Sequence, residues 1–418
     1  MTNGEEYDKN LIMEHSHDHQ GKASILAVGT ELTTGQITNR NAAWISERLT
    51  SLGVEVVLHE TVPDERNRIL HALQNCEQHS QFIFVTGGLG PTSDDFTREV
   101  IAQWLKKPLL FDPETWNQVT DRLKRIGIPQ DKIAQSNRQQ CFFPENSKIL
   151  ANPQGTAAGF TSLINSSEPS SIAKAIWVLP GPPNEVTAVW SQGIEAQLLE
   201  LNPQLERSIL FKWQCLGKSE ADLGEITEKA IQGSGLKTGY RVHRPFVEVK
   251  VWCTEAQASE KKRWINALDQ ALSPWVMTKQ DEDLADHLLR QLHGFSEIQI
   301  FDCASGGLLA ARLGAQLKRQ THESLLDKLT LLTDWTPCSN LQEWAQMETS
   351  LEPDLLTLIF AGFEQNGNSS VGFHFGNTHL TQVIENPYRN PEFFERTRHF
   401  ALEMALKIWS DWVRETSI

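Results

Sequence analysis

Short apolar runs alternate with amphipathic stretches over the first 90 residues of the chain. Ser24–Val28, Val54–Leu58 and Phe82–Val85 are apolar without helical period, which is typical of buried strands. Between them, Asn39–Leu52 and Ile69–Cys76 place their apolar residues on one helical face. A strand–helix–strand–helix–strand order with short connections predicts a parallel sheet covered by helices on both faces.

The pattern changes further along the chain. Residues 111–150 are polar and helical in pattern, and a strand at Ile176–Leu179 precedes a proline-rich turn that opens another helix. Near residue 205 a small α+β module begins, with strands Ser208–Leu216 and Phe246–Cys253 around helix Glu220–Ile231. A last α/β unit has strands Ile298–Phe301 and Leu355–Phe360 and helices Leu308–Leu317 and Pro391–Val413.

These patterns predict an α/β protein with three folded domains. We expect a disordered tail over 1–22, a mostly parallel three-layer sheet over 23–204, a small α+β middle module over 205–279 and a C-terminal α/β domain over 280–418. The length of 418 residues agrees, because single cores stop growing at about 250–300 residues.

The composition disfavours several classes of partner. With 39% hydrophobic and 22% charged residues, and no apolar run long enough to span a membrane, the chain is typical of a globular protein. Its net charge of −15 disfavours nucleic acid and anionic membranes as partners. The first 22 residues lack the apolar segment of a signal peptide, and the six cysteines form no CxxC pair, so we expect reduced thiols in the cytoplasm. The alternating His15, His17 and His19 are more typical of a solvated tail than of a metal site.

The strand at Phe82–Val85 ends in a glycine-rich turn, Thr86 to Pro91 (TGGLGP). Glycines let backbone N–H groups approach a ligand closely, and the start of the following helix favours phosphate oxygens. Asp94 and Asp95 occupy the same turn and would repel a bare phosphate, so they indicate a metal ion between phosphate and carboxylate. The turn therefore predicts a metal-assisted phosphate site.

Two other predicted strands also end in acids or hydroxyls beside glycine or proline, at Gly29–Glu31 and at Thr61–Asp64. The carboxyl ends of parallel strands lie at one edge of the sheet, where ligands bind. Each residue also has a structural alternative. Asp94, Asp95 or Asp64 alone would commonly cap a helix, and Glu31 and Asn39 would stabilise a loop. The turn at Gly155-Thr156 is, on the same view, a plain turn.

Two long motifs carry a family resemblance: Gly29 to Asn41 (GTELTTGQITNRN) and Thr86 to Asp95 (TGGLGPTSDD). They resemble the CinA (competence/damage-inducible protein A) family, whose N-terminal domain is similar to the molybdopterin-binding fold of the MoaB/Mog enzymes. Asn152 to Phe160 (NPQGTAAGF) resembles the family's N-P-x-G-T-A-P-G-F turn. Leu179 to Glu185 (LPGPPNE) and Gly217 to Glu220 (GKSE) continue the match, so it covers most of residues 23–255.

The resemblance implies a metal-dependent nucleotide pyrophosphatase that acts on ADP-ribose or a related nucleotide diphosphate. It implies that three aspartates hold a divalent metal (Mg²⁺, Mn²⁺ or Co²⁺, with potassium a candidate further ion) and act in catalysis: Asp64, Asp94 and Asp95. It implies that ten residues bind the nucleotide: Thr86, Gly87, Gly88, Gly90, Thr92, Glu31, Asn39, Asn41, Gly155 and Thr156. The amides of Gly87, Gly88 and Gly90 would cradle the phosphates.

Two positions depart from the family pattern in this domain. Ala158 replaces the proline of the N-P-x-G-T-A-P-G-F turn. Gln139 stands where the family commonly has a lysine in N-x-K-Q-A. If that lysine holds phosphate, either Arg138 compensates for it or the affinity is weaker.

The C-terminal domain departs further. Asp302 to Ala310 (DCASGGLLA) resembles E-S-C-T-G-G-L-L-A, the turn that carries the nucleophilic serine of an NMN-amidohydrolase domain, and Cys303 replaces that serine. The partner motif Y-S-N-x-x-K is absent, since the one tyrosine of this domain, Tyr388, lies far downstream. The later G-I-A-G-P-x-G-G turn is also lost at Phe360 to Gly367. We expect this domain to be inactive as an amidase; the rival is altered chemistry by Cys303 with Ser305.

The sequence thus predicts a pyrophosphatase that takes a small-molecule nucleotide, forms a homodimer and binds neither nucleic acid nor membrane. The alternative is a nucleotide- or pterin-binding protein without turnover, with a scaffolding C-terminal domain. Amidohydrolysis by Cys303 is the least favoured interpretation.

Overall fold

The computed structural model describes residues 21–165, 171–318, 320–333, 354–364, 367–387 and 394–415. The chain divides into two compact units, one built by the residues up to 209 with 254–256, the other by 210–253 with the residues from 257 onward. The division into three domains remains a prediction. His15, His17, His19 and Tyr388 lie outside the described residues.

The first unit is organised around a six-stranded sheet. Its strands, together with a separate two-stranded ladder (β4 and β5), are β1 Lys22–Val28, β2 Glu55–Val62, β3 Phe82–Thr86, β4 Leu109–Phe111, β5 Phe142–Pro144, β6 Lys148–Leu150, β7 Gly159–Leu163 and β8 Ala175–Leu179. The order is β2-β1-β3-β8-β7-β6. Strands β2, β1, β3 and β8 pair in parallel, whereas β7 is antiparallel to both of its neighbours.

Helices cover both faces of this sheet. They are α1 Thr30–Thr33, α2 Arg40–Ser51, α3 Arg66–His79, α4 Thr97–Trp104, α5 Pro113–Arg125, α6 Pro183–Trp190 and α7 Ile194–Leu201. Strand β3 alternates its side chains between two cores: Phe82 and Phe84 pack with α2, α6 and α7, while Ile83 and Val85 pack with α3 and α4. The mostly parallel, three-layer α/β sheet predicted from the sequence is confirmed.

Residues 111–150 correct one expectation. Only the first part is helical, as α5; short 3₁₀ segments (Gln130–Lys132 and Gln135–Cys141) and the strands β5 and β6 follow it. Each of those strands has three residues, too few to show alternation along the sequence.

The second unit contains two sheets. The first has the order β10-β11-β9-β12, with two helices packed on it: β9 Ser208–Cys215, α8 Glu220–Ala230, β10 Lys237–His243, β11 Phe246–Thr254, α9 Ala258–Leu272 and β12 Val276–Lys279. The GKSE motif has a structural role here, because Ser219 caps α8 in a capping box with Asp222.

The second sheet of this unit has the order β14-β13-β15-β16-β17. Its elements are α10 Leu284–Leu292, β13 Glu297–Asp302, α11 Leu308–Leu317, β14 Leu329–Leu332, β15 Leu355–Ala361, β16 Ser369–Phe375, β17 Thr378–Ile384 and α12 Phe394–Glu415. Strand β13 is parallel to β14 and β15, and β16 and β17 continue antiparallel. No helix in the described ranges has the length and apolar character needed to cross a membrane.

Candidate functional site

A cavity of about 690 Å³ opens at the carboxyl ends of β1, β3 and β8. Eleven residues predicted for the site line it: Glu31, Asn39, Asn41, Asp64, Thr86, Gly87, Gly88, Gly90, Asp94, Asp95 and Thr156. The two others lie beside it. Thr92 contacts the carboxylates of the turn, and Gly155 lines a neighbouring cavity of about 340 Å³ that shares Thr156 with the first.

The turn after β3 requires glycine at its first two positions. Gly87 and Gly88 have φ values of +96° and +66°, which L side chains rarely adopt. A Cβ atom on Gly87 would also collide with the carbonyl oxygen of Val28 in β1, and one on Gly88 with Oγ1 of Thr97. The turn is therefore pressed between the sheet and the start of α4.

The carbonyl groups of this turn are held from behind. Thr97 N donates to the carbonyl oxygen of Gly88 at 3.2 Å. Nε2 of Gln139, from the second 3₁₀ segment, donates to the carbonyl oxygens of Gly90 (3.2 Å) and Thr92 (2.8 Å). Gln139 thus holds two carbonyls of the turn in place.

The Leu89 carbonyl is held twice. It accepts hydrogen bonds from the guanidinium of Arg98 and, at 3.4 Å, from Nε2 of Gln140. Both side chains are buried. Gln140 also lines the cavity, and its Oε1 atom has no partner among the described residues.

The amides of the turn have the opposite arrangement. The N–H groups of Gly88, Leu89 and Gly90 donate to no other described residue. In a trans peptide the N–H points away from the carbonyl of the same unit, so the amides of Leu89 and Gly90 point away from the groups that hold the carbonyls. Consecutive unpaired amides at a cavity wall form an anion-binding surface. The amide of Gly87 does not belong to it, because it donates to Leu179 in β8 at 3.1 Å.

Asp94 and Asp95 converge on the hydroxyl of Thr92. Oδ1 of Asp94 and Oδ2 of Asp95 each lie 2.5 Å from its Oγ1 atom, and Asp95 also accepts from its backbone N–H at 3.0 Å. The hydrogen bond with Thr92 lowers the pKa of Asp94. The Thr92 hydroxyl has one proton and donates it to only one of the two carboxylates at a time. The facing oxygen of the other aspartate is then available to a cation. Neither aspartate caps α4, whose N-cap residue is Phe96, without a side-chain cap.

Asp64 is held separately, at the end of β2. Its carboxylate accepts from the backbone N–H of Thr30 at 2.7 Å and from the Thr30 hydroxyl at 3.0 Å. Asp64 does not cap α3, which begins after Glu65 without a side-chain cap. It joins the ends of β1 and β2 at the cavity.

A metal ion fits this site only in part. Within the described residues, no three His, Cys, Asp or Glu side chains are grouped to hold a metal ion. Asp94 and Asp95 supply the converging oxygens, and a phosphate ligand and water would complete the coordination. The three-aspartate ligand set remains a prediction.

The asparagines predicted for the site have structural contacts. Oδ1 of Asn39 accepts from Ala42 N at 3.0 Å and caps α2, which is the loop-stabilising alternative. Nδ2 of Asn41 donates to the carbonyl oxygen of Gly181 at 2.7 Å. Both line the cavity all the same, as does Glu31 of the short helix α1.

The opposite wall depends on Glu185 and Asn152, which carry no role in the sequence-based assignment. Nδ2 of Asn152 donates to Oε2 of Glu185 at 2.7 Å, and Oδ1 of Asn152 accepts from the amides of Gln154 and Gly155. A Cβ atom on Gly155 would collide with the Glu185 carboxylate. The sequence signals for Glu185 were its place in the helix-opening turn and in the LPGPPNE motif, and neither assigned it to the site.

Arg138 does not reach the cavity. Its guanidinium lies over the ring of Phe111, at 4.7 Å from the centroid, and near the ring of Trp116. It is not among the residues that line the cavity, so the expectation that it substitutes for the family's lysine at the phosphate has no support in its position.

The second glycine turn, at Asp302–Gly307, bonds to itself. Oδ1 of Asp302 accepts from the amides of Ala304 (3.3 Å) and Ser305 (2.8 Å), and its other oxygen accepts from the Ser305 hydroxyl. The amide of Cys303 donates to Phe360 in β15. Asp302 and Ser305 are buried, and Cys303 is half-buried.

Comparison with known proteins gives consistent similarities. Residues 24–200 match the family model described as a probable molybdopterin binding domain. A putative competence-damage inducible protein of Caldanaerobacter subterraneus is 32% identical over 298 residues, which cover 70% of this chain and 69% of that protein. A CinA-like protein of Prochlorococcus marinus is 30% identical over 298 residues, which cover 69% of this chain and 68% of that protein. The crystal structure of a Thermoplasma acidophilum CinA protein of unknown function aligns with 43% of this chain and 98% of its own, at 28% identity and a TM-score of 0.37.

Proposed function

Because the chain belongs to the family of CinA-like competence-damage inducible proteins, we propose that it is a nucleotide pyrophosphatase that depends on a divalent metal and hydrolyses ADP-ribose or a related nucleotide diphosphate. One observation carries the proposal. Three consecutive amides at Gly88–Gly90, which donate to no other residue in the described part of the chain, lie on the same cavity as two carboxylates that converge on one hydroxyl.

The reaction needs an anion cradle, charge neutralisation and an oriented water. The amides of Gly88, Leu89 and Gly90 would hold the oxygens of one phosphate. Asp94 and Asp95 would hold the divalent metal, which when bound neutralises the phosphate oxygens. The free carboxylate oxygen of this pair would orient a water molecule. The oxygen of that water would attack one phosphorus atom, the bridging P–O bond of the anhydride would break, and a proton of the water would pass to the carboxylate that orients it, so that AMP and ribose 5-phosphate leave.

A second candidate is a nucleotide- or pterin-binding protein without turnover. It is favoured by the observation that no three acidic, histidine or cysteine side chains in the described part of the chain are grouped for a metal. The same amides would bind a phosphate in either case. Cytoplasmic location and a homodimer remain expectations from the sequence.

The deciding experiment is incubation of the full chain with ADP-ribose and Mg²⁺, Mn²⁺ or Co²⁺, followed by chromatography of AMP. In Asp95→Asn we expect AMP release to fall on the order of 10²-fold or more, because a group acting on the water is lost. Asp131→Asn is the matched control, since Asp131 is exposed and does not line the cavity.

AMP release that is equal in wild type and Asp95→Asn would contradict the assignment of the site. If wild type binds ADP-ribose in calorimetry but releases no AMP with any of the three metals, the protein binds the nucleotide without turnover and the second candidate function is supported.

A further inference from the structure

Arg98 is a buried cation directly behind the phosphate turn. It lies in the first turn of α4, is only 3% exposed, and donates through Nη2 to the carbonyl oxygen of Leu89. Among the described residues no carboxylate forms an ion pair with it, and its Nε atom has no partner. Burial lowers the pKa of Arg98 to about 10, against the attraction of the Asp95 carboxylate.

A buried charge without a counter-ion is unfavourable unless something compensates it. The Leu89 carbonyl provides part of the compensation, and the Gln140 amide group donates to the same oxygen. Two donors on one carbonyl, one of them cationic, draw electron density toward that oxygen and polarise the whole peptide unit.

That peptide unit ends at the cavity. The Leu89 carbonyl and the Gly90 N–H belong to one trans peptide, so the N–H points away from Arg98. Gly90 lines the cavity, and its N–H donates to no described residue. The polarised peptide therefore presents its positive end where an anion would lie.

We propose that Arg98 is a positioning residue for phosphate binding that acts through the Leu89–Gly90 peptide, strengthening the Gly90 N–H as a donor to a phosphate oxygen. The inference rests on the proposed function only in taking a phosphate ester as the ligand. The bound phosphate in turn adds to the negative charge that the Asp95 carboxylate already places near the buried guanidinium.

The test is calorimetric titration of AMP into the full chain without turnover, for wild type, Arg98→Met and Arg98→Lys. We expect AMP affinity to fall about 10-fold in Arg98→Met, because a charge-assisted hydrogen bond no longer polarises the peptide. Arg98→Lys keeps a cationic donor while the lysine is protonated, so we expect it to bind AMP more tightly than Arg98→Met but more weakly than wild type. The Gly90 amide proton signal moves upfield in Arg98→Met, because the less polarised N–H is less deshielded.

Arg66→Met is the matched control. Arg66 is exposed, lies 4.5 Å from the centroid of the Phe96 ring and pairs with Glu99 of α4. The Arg66→Met substitution therefore removes one positive charge, as Arg98→Met does, but from the surface near the turn. Any effect of Arg66→Met fades by about 0.5 M NaCl because exposed charges are screened, while that of Arg98→Met persists.

Three results would overturn the inference: wild type that does not bind AMP, Arg98→Met with wild-type affinity, or Arg98→Lys as weak as Arg98→Met. The lysine variant decides if Arg98→Met does not fold. Hydrolysis of ADP-ribose is not part of the readout. Wild type that binds AMP but releases none from ADP-ribose therefore defeats the proposed function and leaves this inference standing.

Discussion

The two glycine turns of this protein have a similar construction but differ in which of their backbone amides are hydrogen-bonded. Each follows a parallel strand and leads into a helix: Thr86–Thr97 after β3, and Asp302–Gly307 after β13. In the first turn other elements hold the carbonyls, and three amides remain unpaired. In the second turn Asp302 and β15 take up the amides of Cys303, Ala304 and Ser305.

The two turns therefore differ in which amides are paired: those of Gly88 to Gly90 donate to no other described residue, whereas those of Cys303 to Ser305 all have acceptors. An oxyanion needs free N–H donors, and the second turn has none at these three residues. The inactivity of the C-terminal domain as an amidase stays a prediction. The second turn also has a carbonyl held by arginine, because the Arg398 guanidinium donates to the Ser305 carbonyl oxygen and would collide with a Cβ atom on Gly306.

The largest difference between the two turns is expected when a glycine in each is replaced by alanine. Gly87→Ala adds a Cβ atom against the Val28 carbonyl oxygen at a φ of +96°, so we expect destabilisation of about 1–2 kcal/mol or more and loss of most AMP release from ADP-ribose. Gly307→Ala meets no atom within 4 Å, so at a φ of +89° it carries only conformational strain of about 1 kcal/mol. Urea unfolding and chromatography of AMP measure both. Equal activity in the two variants would contradict the close approach of the first turn to the sheet.

A hydroxyl in each turn gives the next largest effect. Ser305→Ala removes the hydroxyl donor to one oxygen of Asp302 and leaves the Leu309 amide without its acceptor, so we expect a loss of about 1–3 kcal/mol in unfolding free energy and unchanged AMP release. Thr92→Val removes the hydroxyl shared by Asp94 and Asp95, so AMP release falls while stability changes little.

The Thr92 hydroxyl also makes stability depend on pH. It lowers the pKa of Asp94 in the folded state, so its contribution is present above the ordinary pKa of aspartate and is lost as the pH falls through the lowered value. Wild type and Thr92→Val should therefore converge in stability in acid. A Thr92→Val variant that loses stability but keeps its AMP release would contradict the assignment of Thr92 to the site.

The smallest effect is expected at Cys303. Burial raises the pKa of Cys76 and Cys215 to about 12 and that of Cys141 to about 11, whereas Cys303 is half-buried, so iodoacetamide should label Cys303 before these three. Its rate should lie within about threefold of N-acetylcysteine at neutral pH, and AMP release should not change. Mass spectrometry locates the label, with Cys303→Ala as the control. A rate far above the reference thiol would instead favour an activated nucleophile.

The sequence predicted the position of the first turn because glycines, aspartates and a buried strand lie next to one another along the chain. It did not predict which atoms of the turn would be free. The donors to the carbonyls of Leu89, Gly90 and Thr92 include Gln139 and Gln140, about fifty residues away. The burial of Arg98 could not be predicted for another reason: an arginine in a short amphipathic helix normally faces solvent.

Antiparallel strands, some of them very short, were the main omission in the fold. Strands β16 and β17 form a two-stranded extension whose sequence alternates weakly, and β4 to β6 have three residues each. Parallel strands β1, β3, β8 and β15 were recognised because burial on both faces makes them continuous apolar runs.

The hydrogen bonds at the cavity rim have a consequence for motion. Asn152 joins its own turn to Glu185, and Asn41 joins the start of α2 to Gly181. Three loops that are far apart in sequence are thereby cross-linked at one place, and none of them can open without breaking bonds to another. Amide hydrogens of the three loops should therefore exchange with solvent through one shared opening event, so ligand entry would be governed by a single cooperative fluctuation of the rim.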